Sequence, residues 1–198
     1  MRKWSCGLIV VLILFVASLV LESSAQPPPA SAARPVNIRA MKGGKAITPQ
    51  YQLLKGQAMA RTREWFQILT QYETDPDWMD ELTFTYYVLV RDKVGPQKGP
   101  VLFRGDVTYV TIQKGKHMSD MYLHPSTLAR YGDVEATAVL VTFRGQLVAM
   151  ESQPASNQRW WEQLAPVEGF ILNRMQTPFA MIDFDNYEAI KPGTAGGR

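Results

Sequence analysis

The chain has 198 residues, of which 46% are hydrophobic, 20% charged and 11% aromatic, with a formal net charge of +3. That is a globular composition with room for one ordinary domain plus a targeting segment, and it excludes a disordered acidic or basic polymer. Discounting Arg2, Lys3 and Glu22 with the first 25 residues leaves about +2, too weak and too scattered for a nucleic-acid surface.

The N-terminus has the layout of an export signal. Arg2 and Lys3 precede an unbroken apolar run from Gly7 to Leu21, and Ser23, Ser24 and Ala25 supply small residues before Gln26. Residues 1–25 are read as a signal peptide. The alternative is an uncleaved anchor, because Trp4 to Leu21 spans 18 residues, near the lower limit for crossing a bilayer. Either reading exports the rest, to the periplasm or the cell surface. Cys6, the only cysteine, lies inside this segment, so the mature domain would be held by its core without disulfides. Residues 26–35, QPPPASAARP, form a Pro/Ala-rich spacer.

From Val36 on, alternation dominates. A short strand over Val36–Met41, a turn at Gly43–Gly44 and a second strand over Ala46–Leu54 are expected. Trp65–Tyr72 and Leu82–Val90 read as two long strands. In the second, Leu82, Phe84, Tyr86, Val88 and Val90 share one apolar face, with Tyr87 on the other. Between them Thr74–Asp80 carries turn formers, including Pro76. Residues 94–100 read as a loop. Further alternating runs cover residues 100–112 and His117–Leu123, with a hairpin signal at 113–116. Residues 124–132 suggest one or two helical turns, capped by Ser126 and stopped by Gly132. Glu135–Phe143 and Gln146–Glu151 flank Arg144–Gly145 as a hairpin. Trp160, Trp161 and Leu164 suggest a short helix over 157–164. Apolar β-like runs follow at 169–175 and 178–184, and residues 192–198 read as a flexible tail. Short strands at regular spacing with one or two short helices predict a mainly β domain over 36–191, a β-sandwich with Greek-key connections.

No reactive constellation stands out. His117, Asp120 and His124 have a superficial ligand spacing, but 117 and 124 differ by an odd number and fall on opposite strand faces. No metal, cofactor or catalytic residue is therefore assigned. Asp75, Asp77 and Asp80 lack the loop spacing of a calcium motif and read as a plain turn. Asp183 and Asp185 would share a strand face, which suits solvated or turn-capping acids better than a catalytic pair. No serine sits in a nucleophile elbow, and Gly43–Gly44–Lys45 is no phosphate loop. Trp65 and Tyr86 read as core. Tyr87, Trp160 and Trp161 are the candidate partner contacts.

Four stretches, WFQI (65–68), YETDPDWMDELTFTYYVL (72–89), NRMQTPFA (173–180) and DNYEAI (185–190), resemble a group of exported verrucomicrobial proteins found with type IV pilus genes. The resemblance runs through most of residues 50–191. It implies an immunoglobulin-like β-sandwich and a non-enzymatic accessory or assembly role, with envelope or pilus proteins as partners and self-association through an edge strand. A pilin itself is not implied, since Glu22 follows the apolar segment instead of standing near its mature start. A glycan-binding sandwich using exposed aromatics is the alternative function.

Overall fold

A computed structural model describes residues 34–50, 62–92 and 99–193. The expected signal and most of the spacer, of the tail and of the 94–100 loop lie outside the described residues. Among the described residues, eight strands and one helix appear in chain order: β1 (Val36–Ile47), β2 (Glu64–Asp92), β3 (Gly99–Leu123), α1 (Pro125–Tyr131), β4 (Val134–Phe143), β5 (Gln146–Gln153), β6 (Val167–Glu168), β7 (Ile171–Asn173) and β8 (Ala189–Ile190). Single 3-10 turns occur at Trp160–Glu162, Arg174–Gln176 and Phe184–Asn186.

The fold is organised on two very long strands. β2 runs for 29 residues and β3 for 25, paired antiparallel from Phe66↔Leu123 to Asp92↔Gly99. The expected turn at Thr74–Asp80 is thus a correction: it does not end a strand. The ladder register shifts between Thr74 and Trp78, opposite Gln113–Gly115, where a second hairpin was expected. Each turn signal faces the other across the ladder, so both act together as one bulged corner, and bulges bend strands in this way.

The corner folds the ladder back on itself. Thr70 and Tyr86 are 16 residues apart, roughly 50 Å along a straight strand, yet the Tyr86 hydroxyl donates to Thr70 Oγ1 at 2.9 Å. The rings of Tyr72 and Phe84 likewise lie 4.8 Å apart. One layer of the β-sandwich is built by β1, the first half of β2, the second half of β3 and β7. The other contains β5, β4, the second half of β2 and the first half of β3, with β6 and β8 along β3. Ile68, Tyr72, Leu82, Phe84, Tyr86, Val88, Val107, Tyr109, Met121, Val139 and Val141 form the core between the layers. The expected alternation of β2 and the core positions of Trp65 and Tyr86 hold.

β1 is continuous, against the expected Gly43–Gly44 turn, and pairs along its length with β2. Gly43 lies instead under the Phe66 ring, where a Cβ would come 2.7 Å from Phe66 Cζ and push the ring end aside. The second strand expected over Ala46–Leu54 is not formed as such: Ala46 and Ile47 end β1, Thr48–Gln50 lie outside any strand, and 51–54 fall outside the described residues. Gly105 lets the layers close. Its added Cβ would meet Ile171 Cβ at 2.7 Å and Met121 Cε at 3.1 Å. Gly105→Ala is expected to cost about 1–3 kcal/mol by overpacking, read as a shift in the urea midpoint; an unmoved midpoint would mean that the layers part freely there.

α1 ends at Gly132, as expected, but its cap is His124 in place of Ser126. The His124 Nδ1 accepts from the Ser126 backbone N–H at 3.1 Å, and Pro125 occupies the first turn, where its missing donor costs nothing. Burial, then the Arg63 charge, hold the His124 pKa below its ordinary value. A protonated Nδ1 cannot accept. The unfolded chain therefore binds more protons than the folded one as pH falls below about 6.5. The stability from this cap is complete above that pH and is lost as pH falls through the folded pKa. Melting followed between pH 7.5 and 5 should fall more steeply in the native chain than in His124→Asn, whose cap does not titrate; parallel curves would refute the role.

The Arg144–Gly145 hairpin is as expected, with φ of 50° and 77° at its two residues, the left-handed pair that a type I′ turn requires. The helix expected over 157–164 shrinks to one 3-10 turn. The β run expected at 178–184 is replaced by turns leading into a 3-10 turn.

Candidate functional site

Both outer faces of the sandwich are covered by the chain after β5, and each cover creates a distinct environment. On the layer containing β4, Trp161 is 5% exposed and packs with Leu102 and Ala138. Its ring stacks on Tyr87 at 6.3 Å and meets Trp160 edge-on at 5.4 Å. The three expected contact residues are thus brought together, but as a packed cluster. Of the two adjacent tryptophans, Trp161 is the interior one, because the 3-10 turn folds it down against Leu102 and Ala138. Tyr87 and Trp160 remain half-buried. Burial raises the Tyr87 pKa, with Asp106 and Glu162 adding to it against the pull of Arg104.

The outer face of the other layer carries a buried polar centre. Asp120 points out of β3 and is fully buried. Its Oδ2 accepts from Arg174 Nη1 at 2.6 Å, the Tyr122 hydroxyl at 2.7 Å, the Tyr187 hydroxyl at 2.9 Å and Gln67 Nε2 at 3.1 Å. Arg174 also donates to the Ile182 carbonyl and lies over the Tyr187 ring, 3.8 Å from its centroid. Burial opposes the Arg174 charge, but Asp120 and the two tyrosine hydroxyls outweigh it and hold its pKa above the ordinary value. Burial and the Asp120 charge push both tyrosines well up. All four donors converge on one oxygen of the acid, Oδ2, while Oδ1 is buried without a hydrogen-bond partner among the described residues. Its chemistry is structural: it ties the 174–187 segment, a strap, onto the sheet.

Aromatic packing completes the tie. Phe179 stacks on Tyr122 at 4.6 Å and abuts Trp65 edge-on at 5.8 Å. At the strap's start Gln176 Oε1 accepts from the Asn173 backbone N–H at 2.9 Å, one half of a capping box. None of Gln67, Arg174 or Tyr187 was singled out from sequence. The one available signal was Asp120 itself, an acid flanked in β3 by Met118 and Tyr122 on the same face.

The histidines and other acids fall elsewhere. His117 Nδ1 pairs with Glu188 at 2.9 Å, and its Nε2 lies 2.7 Å from the Gln113 carbonyl. It borders a cleft of about 710 Å³ with Arg39, Tyr72 and Lys116, while His124 caps α1. Among the described residues no group of three or more His, Cys, Asp or Glu could hold a metal ion. Asp75 pairs with Lys114 at 3.1 Å and Asp80 with Arg144 at 3.7 Å. Asp183 and Asp185 lie on the strap and its 3-10 turn, where no strand face exists for them to share.

No curated protein matches the chain. A crystal structure from Akkermansia muciniphila, a verrucomicrobium, is similar in fold: TM-score 0.67, 22% identity, 79% of this chain and 92% of that chain covered. A beta-glucosidase from Listeria innocua in complex with gluconolactone aligns at a TM-score of 0.26 and 13% identity, over 57% of this chain and 16% of that one. That likeness is too slight to carry anything across. A family model matches residues 28–194, from within the expected spacer to beyond β8, and the chain belongs to the family that it describes.

Proposed function

We propose that the chain is a non-enzymatic exported module, an immunoglobulin-like sandwich that works by protein contact in the cell envelope, as an accessory or assembly component of type IV pili. The observation that carries this reading is Trp78. It stands 60% exposed at the bulged corner, on the longest structural element of the domain. Tryptophan is enriched among the residues that dominate protein interfaces, and a solvent-facing one on a fixed corner suits a partner. The export layout of residues 1–25 and the resemblance to pilus-associated proteins support it further. The glycan-binding alternative loses Trp161, which is packed, and would have to use Trp78 in its place.

Deleting the gene should impair piliation or adhesion. Trp78→Ala should reproduce the defect while changing stability by less than about 0.5 kcal/mol, as exposed substitutions do. Normal piliation and adhesion in the deletion strain would overturn the reading.

A further inference from the structure

Beside the Asp120 centre, the strap and β8 enclose a groove of about 280 Å³, lined by Met175, Ala180, Phe184 and Ile190 with Arg174 beneath. Met175 and Phe184 are each 57% exposed at its rim, and Met181 on the same strap is 73% exposed. Large apolar side chains held in water on one short segment mark a contact surface. The methionines make it adaptable.

The strap's shape is set independently of any occupant. The Arg174–Asp120 pair, the Arg174 bond to the Ile182 carbonyl and the Phe179–Tyr122 stack hold it at three points. Asp183 takes a left-handed φ of 49°, uncommon outside glycine and sustained only by its surroundings. Such a surface spends little ordering on binding.

Charge and size select the occupant. Asp183 and Asp185, the neighbours of Phe184 in sequence, are exposed on the strap, whereas the acid that lines the groove, Glu188, is paired with His117. The one cation lining the groove, Arg174, is buried and neutralised by Asp120. The strap on either side of Phe184 therefore carries negative charge, which disfavours an anionic lipid surface and favours a segment with lysine or arginine beside its apolar anchor. The volume is below that of a typical small-molecule pocket and suits an inserted side chain. We propose that this groove docks an apolar peptide segment flanked by basic residues, contributed by a partner protein. The proposal rests on the protein-contact reading above and names a surface for it.

The test titrates the full chain with a short leucine–lysine peptide, a leucine–glutamate counterpart and phosphatidylglycerol vesicles. The lysine peptide should bind at least about 10-fold more tightly than the glutamate peptide. Met175→Ser with Phe184→Ser, which removes the apolar contacts without adding charge, should weaken it at least about 10-fold with melting unchanged. Asp183→Asn with Asp185→Asn should weaken it and flatten its salt dependence. Equal binding of both peptides, undiminished binding by the Met175/Phe184 variant, binding of vesicles alone, or a variant that alters only self-association in sedimentation would each overturn the proposal. In cells, a deletion defect fully restored by the Met175/Phe184 variant would overturn the groove and leave the protein-contact reading standing. A deletion without a defect would remove that reading, whatever the peptides do.

Discussion

Asp120→Ala is expected to destabilise the domain by about 3–5 kcal/mol, because it strands the Arg174 guanidinium in a buried site without its counter-charge. Gln67 and the hydroxyls of Tyr122 and Tyr187 lose their shared acceptor in the same step. Arg174→Ala should cost a comparable amount from the other side, leaving the carboxylate buried. The double substitution should cost clearly less than the two singles added together, since each single leaves a charge that the double removes. Denaturant unfolding of the four proteins measures this directly. A single-mutant loss below about 1 kcal/mol, or strict additivity, would mean that the centre is open to solvent and does not tie down the strap. Removing the tie should also weaken groove binding, since a strap that must order itself on contact loses part of its affinity.

Phe84→Ala is expected to cost about 3–5 kcal/mol, the range for truncating a fully buried aromatic. Phe84 is wholly buried and its ring contacts link the two layers: Tyr72 from the first, at 4.8 Å, and Tyr109 from the second, at 5.6 Å. The contact with Tyr72 exists only because β2 turns back over itself. A double-mutant cycle of Phe84→Ala with Tyr72→Ala should therefore show coupling of about 0.5–1.5 kcal/mol beyond area burial. Zero coupling would contradict the folded-back ladder. The Tyr86 hydroxyl adds a polar lock at the same interface, hydrogen-bonded to Ser119 Oγ and to Thr70 Oγ1, both at 2.9 Å; its burial pushes the phenol's pKa well up against the pull of those two bonds.

What was legible and what was not separates by range. Period-2 alternation reports which side chains face inward, and that information is local, so Leu82 to Val90 reads correctly from sequence alone. The Arg144–Gly145 turn is equally local: two positive φ values in a two-residue connection demand such residues. Asp75–Pro76–Asp77 misleads because a hairpin turn and a strand corner use the same residues. The choice depends on what lies opposite, and here Gln113–Gly115 of β3 kinks at the same level. The strap is hardest to read. Its 3-10 turns and irregular segments have no period, and Arg174 meets its acid across 54 residues of chain.

The chain alone determined that this is a mainly β domain with an apolar β2 face, aromatic core positions at Trp65 and Tyr86, a helix stopped by Gly132 and a tight Arg144–Gly145 hairpin. Each follows from backbone preferences and side-chain alternation over a few residues. Tertiary structure alone decided that β2 and β3 are single bent strands crossing both layers, that Trp161 is packed while Trp78 stands in solvent, and that Asp120 anchors a strap bearing an apolar groove. Those outcomes depend on which distant segments meet, and close packing and the satisfaction of buried charge select among the meetings that local sequence leaves open.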